Sequence, residues 1–297
     1  MNNTNLSGLF VATATPFTPE GCINDEVLAK LIERHIREGA SGMYVGGSSA
    51  ECFLLTEHER MHIFNVAGAY AHQTNIIAHV GAIATDEAIR YAKAAKDSGC
   101  AYISATPPFY YGFNNKQIAQ YFYDIASGAD MPVLLYNFPG NTGKLFNLND
   151  PVIQALFRSK AIFGIKHTDY NLYALERIKN LNPDLVILNG YDETMAASYN
   201  FGAVGAVGST FNVMLPHYLK LFSACKDNDL PKMQDLQRRA NNIMEAFVSK
   251  GLIASIKFIL KQQGYDAGES RRPFTPLTNE DGHDLWDVFQ KNIAGLM

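Results

Sequence analysis

Cysteine is scarce in this chain and scattered. Cys22, Cys52, Cys100 and Cys225 are the only four among 297 residues. They form no C-x-x-C pair and no metal-ligand spacing. That excludes a disulfide-stapled scaffold and leads us to expect reduced thiols in a cytoplasmic protein. An excess of one charge is missing too, with a net charge of −4 and a pI of about 6.1. Such a balance offers no basic footprint for nucleic acid and no basic face for an anionic membrane. Apolar runs stay far below the length of a membrane span. The opening MNNTNLSGLF lacks the basic start and apolar run of a secretory signal. Linkers rich in Pro, Gly or Ser, low-complexity tracts and short repeats are absent as well.

Instead, short apolar runs alternate with longer helical patterns. Eight runs read as strands, at 9–15, 42–47, 75–81, 101–106, 133–138, 161–167, 185–190 and 203–209. Their nearly continuous apolar character suits parallel strands covered on both faces. The helices between them carry start and stop signals. Thr56 and Glu59 make a capping box, and Thr85 is followed by Asp86 and Glu87. Asp150-Pro151 opens a helix, while Gly99 and Gly202 end helices. Eight such alternations predict an α/β fold, a (β/α)8 TIM barrel. A doubly wound sheet is the competitor, but no G-x-G-x-x-G follows the first strand. Segments 211–225, 229–249, 251–263 and 279–294 read as helices. We therefore expect a catalytic barrel over 1–225 and a C-terminal helical extension over 226–297.

Active sites of such barrels lie at the C-terminal strand ends, and four features fall there. Lys166 is the one lysine within a predicted strand. Burial favours its neutral amine, which can attack a carbonyl to form an imine. A lysine snorkelling from a strand end fits the position equally well. Tyr136 ends the preceding strand and could move protons, although a core tyrosine explains it too. GGSSAE (46–51) follows the second strand, and its hydroxyls and turn N–H groups suit a carboxylate. It also reads as an ordinary turn. GYDE (190–193) and GSTFN (208–212) bring Asp192, Glu193 and Ser209, which could hold a polyhydroxylated molecule. Asp192 is equally a candidate helix cap. His58-Glu59-Arg60-Met61-His62 fits the zinc pattern H-E-x-x-H. Glu59, however, is already explained by the capping box, and no third ligand stands out. His79 and His167 lack metal spacing, and strand alternation turns His167 away from Lys166.

Together these motifs resemble the N-acetylneuraminate lyase and dihydrodipicolinate synthase superfamily. The likeness runs from ATPF (14–17) to RRPF (271–274). It rests on GGSSAE, TPPFYY (106–111), YNFPGNTG (136–143), GIKHT (164–168) and GSTFN in that order. The resemblance implies a barrel, usually a homotetramer, with no metal and no organic cofactor. It implies Lys166 as the Schiff-base lysine, Tyr136 as the proton relay, and Ser48 with Ser49 as the grip on a 2-oxo acid carboxylate. Tyr110 matches a tyrosine that neighbouring subunits exchange. Thr168, Gly190, Asp192, Glu193 and Ser209 match the substrate-binding set. The stretch 169–193 looks like the lyase branch, so cleavage of a 2-oxo sugar acid is expected, N-acetylneuraminate foremost, giving pyruvate and an aldehyde. A 2-keto-3-deoxy sugar acid aldolase and a dihydrodipicolinate synthase are the alternatives. Asn141 stands where the synthases usually carry an arginine. Ala50 replaces the family's glycine, and a positive φ there would cost alanine about 1 kcal/mol. Ser49 stands where threonine is usual, and Ile253 where lyases often have an aromatic residue.

Overall fold

The structure, a computed structural model, describes residues 6–293. Residues 1–5 of the opening segment and residue 294, the end of the last expected helix, lie outside it. Among the described residues eight parallel strands close into a barrel. They are β1 (Gly8–Ala12), β2 (Gly42–Val45), β3 (Asn75–His79), β4 (Tyr102–Ala105), β5 (Val133–Asn137), β6 (Ile162–His167), β7 (Val186–Asn189) and β8 (Gly205–Gly208). They stand in sequence order, and β8 pairs back onto β1. The connections carry α1 (Asp25–Glu38), α2 (Glu57–Gly68), α3 (Thr85–Asp97), α4 (Asn115–Ala129), α5 (Pro139–Thr142), α6 (Pro151–Arg158), α7 (Leu172–Leu181) and α8 (Met195–Asn200). After β8 come α9 (Phe211–Lys226), α10 (Leu230–Lys250), α11 (Leu252–Gln262) and α12 (Asn279–Ile293). This is the expected (β/α)8 barrel with helices at its C-terminal end. No described helix is long and apolar enough to cross a membrane.

Alternation along the strands makes two cores. Leu9, Val11, Met43, Val45, Ile76, Ala78, Leu135, Ile165 and Ile187 face the helices. Phe10, Ala12, Tyr44, Ile77, Leu134, Tyr136, Leu188 and Val207 fill the barrel interior. Several strands stop earlier than their apolar runs. Past Ala12 the chain stays buried but leaves the ladder, and the Ala14 N–H donates to the Asn212 side chain at 3.1 Å.

The helix signals act largely as read. Thr56 and Glu59 form the capping box of α2, and Asp150 accepts from the Val152 N–H at 2.8 Å. Two details differ. α3 begins at Thr85 itself, with Ala84 in the capping position and no side-chain cap. Asp192 caps no helix. It lies in a 3-10 turn (Asp192–Thr194) and its carboxylate points across to β8.

The barrel closes where β1 meets β8, and closure there depends on Gly205. A Cβ on Gly205 would collide with the backbone of Gly8. Backbone atoms cannot swing aside as a flexible side chain does. We expect Gly205→Ala to lower stability by about 2–3 kcal/mol, read as a lower urea midpoint with an unchanged slope.

Candidate active site at the barrel mouth

Lys166 sits on β6 with its side chain inside the barrel, and only 4% of it reaches solvent. In the β5–β6 register it lies beside Tyr136. Its Nζ is 4.0 Å from the centre of the Tyr136 ring and 4.4 Å from that of Tyr44. The two rings meet edge to face at 6.0 Å. Tyr44 is itself fixed, donating to Ser104 Oγ at 3.0 Å, which donates to the Leu134 carbonyl at 2.8 Å. Burial lowers the Lys166 pKa to about 7, and the Asp192 carboxylate only partly opposes this. Near neutrality the amine is therefore substantially unprotonated. Burial also pushes the Tyr136 phenol well above its ordinary value, with the Ser48 and Thr168 hydroxyls pulling the other way.

The GGSSAE segment forms a 3-10 turn, Ser48–Ala50, directly after β2. The Glu51 N–H closes it on the Ser48 carbonyl at 3.0 Å. The leading N–H groups of such a turn, at Ser48 and Ser49, have no partner within it. The expected strain at Ala50 is not there. The left-handed residue is Glu51, at φ 59 and ψ 35. Alanine at position 50 is therefore no burden, because the chain reverses one residue later.

On the opposite side, Asp192 is buried and its Oδ2 accepts from the Thr210 N–H at 2.8 Å and the Thr210 hydroxyl at 2.6 Å. Ser209 Oγ lies 3.4 Å from the same oxygen. Burial raises the Asp192 pKa to about 6 even against these donors. Glu193 accepts from the Tyr170 hydroxyl at 2.7 Å, and Tyr170 stacks on Tyr191 at 4.5 Å. Gly190 leaves room for Thr168, since a Cβ there would collide with Thr168 Oγ1. That hydroxyl is buried beside the Tyr136 phenol. α10 steadies this side from behind. Gln237 donates to the Asp192 carbonyl at 3.1 Å and Asn241 to that of Glu193 at 3.2 Å.

A cavity of about 540 Å³ opens at the mouth, lined among others by Ser48, Thr106, Phe138, Asn141 and Phe274. Ile253 is not among its lining residues, and Phe274 supplies an aromatic wall instead. Tyr110 stands apart from the rest. It is 84% exposed on a left-handed backbone, φ 73, and packs on Tyr111. The H-E-x-x-H residues are engaged elsewhere. Glu59 is held by Thr56 and Arg271, which bring its pKa down to about 2, and His62 pairs with Asp25 at 2.8 Å. His167 bonds Asn137 and the Asn171 carbonyl, away from Lys166.

Sequence reading passed over several residues. Tyr44 was detectable, since alternation puts it inside next to an outward Met43. Arg60 was not. It lies buried on α2, donating to the Gly81 and His79 carbonyls at 3.0 and 2.8 Å. Burial of His79, aided by the Arg60 charge, holds the His79 pKa well below the ordinary value.

A (β/α)8 barrel with a buried lysine amine of lowered pKa between tyrosines at its C-terminal strand ends has the architecture of the class I, Schiff-base-forming lyases. The chain belongs to the dihydrodipicolinate synthetase family, which matches residues 5–292. It is 36% identical over 277 residues to the N-acetylneuraminate lyase of Rhizobium meliloti (strain 1021), covering 93% of this chain and 92% of that one. Among solved structures, CdNal from Clostridium difficile in complex with mannosamine superimposes with a TM-score of 0.92. It is 32% identical, with 97% of this chain and 100% of that one covered. N-acetylneuraminate lyase from Fusobacterium nucleatum gives a TM-score of 0.90 at 31% identity, covering 96% of this chain and 98% of that one.

The amine has a pH signature. Its folded pKa of about 7 lies below the ordinary 10.5. Between those values the unfolded chain binds more protons, so stability rises with pH across that window. Below it the full cost of the buried charge is present. Reductive trapping of a small 2-oxo acid on Lys166, located by peptide mass mapping, should rise with pH through a midpoint of about 7. A midpoint near that of an exposed lysine would show that the amine is not held neutral.

Proposed function

We propose that this chain is a class I aldolase that cleaves a 2-oxo sugar acid, with N-acetylneuraminate the preferred candidate, to pyruvate and N-acetylmannosamine. The observation that carries the reading is the Lys166 amine, at a pKa of about 7 and 4.0 Å from the Tyr136 ring centre. Lys166 Nζ attacks the substrate C2 carbonyl, and loss of water gives the imine. The Ser48 and Ser49 hydroxyls and turn N–H groups hold the C1 carboxylate. Tyr136 relays the proton of the C4 hydroxyl, receiving it while passing its own phenolic proton to that carboxylate. The C3–C4 bond breaks, the aldehyde leaves, and the electron pair flows into the protonated imine. The ring faces of Tyr44 and Tyr136 favour that cation. Protonation at C3 and hydrolysis then release pyruvate and restore the amine.

Thr168, Gly190, Asp192, Glu193 and Ser209 form the side that takes the polyhydroxyl chain. Asp192 and Glu193 offer acceptors, and the buried Thr168 hydroxyl offers a donor. The chemistry needs no metal and no organic cofactor, because the imine itself is the electron sink. We further propose a cytoplasmic homotetramer in which Tyr110 completes a neighbouring subunit's site. Its bare, left-handed presentation supports that role. The alternative aldehyde partners are those of 2-keto-3-deoxy sugar acid aldolases and dihydrodipicolinate synthases. Asn141 in the cavity wall weighs against the latter, since asparagine gives the second substrate's carboxylate no cation.

Pyruvate release from a panel of sugar acids, read with a coupled dehydrogenase, tests this. N-acetylneuraminate should be cleaved best. Reaction only between pyruvate and aspartate semialdehyde would overturn the lyase reading. Lys166→Arg should lose activity by about 10⁴-fold or more, and Tyr136→Phe by about 10²–10⁴-fold, both with folding intact by circular dichroism.

A further inference from the structure

Behind the serine turn lies a buried charged clasp that the reaction scheme does not use. Glu51, the left-handed residue ending that turn, directs Oε1 to Lys257 Nζ on α11 at 2.8 Å. Both side chains are almost completely buried. Glu51 Oε2 accepts from the Arg271 backbone N–H at 2.6 Å. Lys257 Nζ also donates to the Glu269 carbonyl at 3.1 Å. The Arg271 side chain holds the segment that follows the turn, donating to the Leu54 carbonyl at 2.9 Å and gripping Glu59 on α2. Phe17 lies between the two cations, 4.2 Å from Lys257 Nζ and 4.5 Å from the Arg271 guanidinium. Two and three residues beyond Arg271, Pro273 and Phe274 line the same cavity as Ser48 and Glu51.

A non-glycine residue at positive φ persists only where its surroundings over-determine it. Here the surroundings are one carboxylate with two partners. A buried ion pair is weak evidence for stability, since apolar replacements often serve as well. What this pair supplies is geometry. It fixes the end of the turn carrying Ser48 and Ser49, and it suspends the segment that lays Phe274 along the mouth.

We propose that the Glu51–Lys257 ion pair is a positioning device for substrate binding, setting the 2-oxo acid carboxylate grip and the aromatic wall opposite it together. It acts through Ser48 and Phe274, not by contact with the reacting atoms. The inference rests on the reading of the turn as the pyruvate carboxylate site.

The test removes both charges at once, since Glu51 alone would leave Lys257 buried and unpaired. Glu51→Asn with Lys257→Met keeps a residue that tolerates left-handed backbone and an apolar stem of similar length. Borohydride trapping is measured against pyruvate concentration, well below each protein's melting temperature. The half-saturating pyruvate concentration should rise roughly tenfold through misplacement of the grip. The trapping rate at saturation and its pH midpoint should stay unchanged. In sugar acid cleavage KM should rise with little change in kcat. Lys257→Arg, which keeps the charge, should stay within about twofold of the wild type. A folded double variant with unchanged half-saturation would reduce the pair to a structural clamp and overturn the proposal. If the double variant does not fold, Glu51→Gln with Lys257→Met, which keeps an acceptor for the Arg271 N–H, carries the same test with the same two outcomes. Absence of any adduct on the wild-type enzyme would instead remove the pyruvate reading, and this inference with it.

Discussion

Taking one amine out of water sets the terms for the rest of this site. A charged Lys166 would be costly in the barrel interior, and among the described residues it forms no ion pair that would keep it charged. The nearest influential carboxylate, Asp192, is kept occupied by two donors from Thr210. Were Asp192 freed to pair with Lys166, the amine would hold its proton and lose its nucleophilicity. Two aromatic faces stand in place of a counter-ion. They cost the neutral amine little and favour the cation that appears after it reacts. The barrel contributes by fixing each participant on a different strand end, where backbone hydrogen bonding is already satisfied.

Much of this was legible in the chain. Strand alternation turns Lys166 and Tyr136 inward and His167 outward, and the order of the motifs then sets them side by side. The cap signals placed the helices within a residue or two. What escaped depended on contacts distant in sequence. The left-handed position belonged to Glu51 and not Ala50, because that depends on where the 3-10 turn closes. Lys257 reads as one more polar residue on an amphipathic helix until Glu51 is packed against it. Asp192 looked like a cap because its position precedes a helix, yet its donors come from the next strand's loop. Tyr110 projects from the surface, outside the cavity that Ser48 and Phe274 line.

The helices after the barrel are not an accessory to it. Gln237 and Asn241 hold the loop bearing Asp192 and Glu193, and Phe274 walls the cavity. The two sides of the site are thus braced from one source. The side of the serine turn is braced through Lys257 and Arg271, and the side of Asp192 and Glu193 through α10. Coupling of this kind makes the mouth a rigid frame around a central reacting bond, as differential binding of a transition state requires.

That arrangement bears on the order in which the molecule is made. Glu51 and the Arg271 N–H that it accepts are 220 positions apart. A chain emerging N-terminus first can complete all eight strands once Gly208 has appeared, long before Lys257 and Arg271 leave the ribosome. For that interval the strands bearing the amine and the phenol exist without the residues that finish the mouth. Competence arrives last, with the final helices, and a message truncated after the eighth strand would encode the reacting groups without the brace of their entrance.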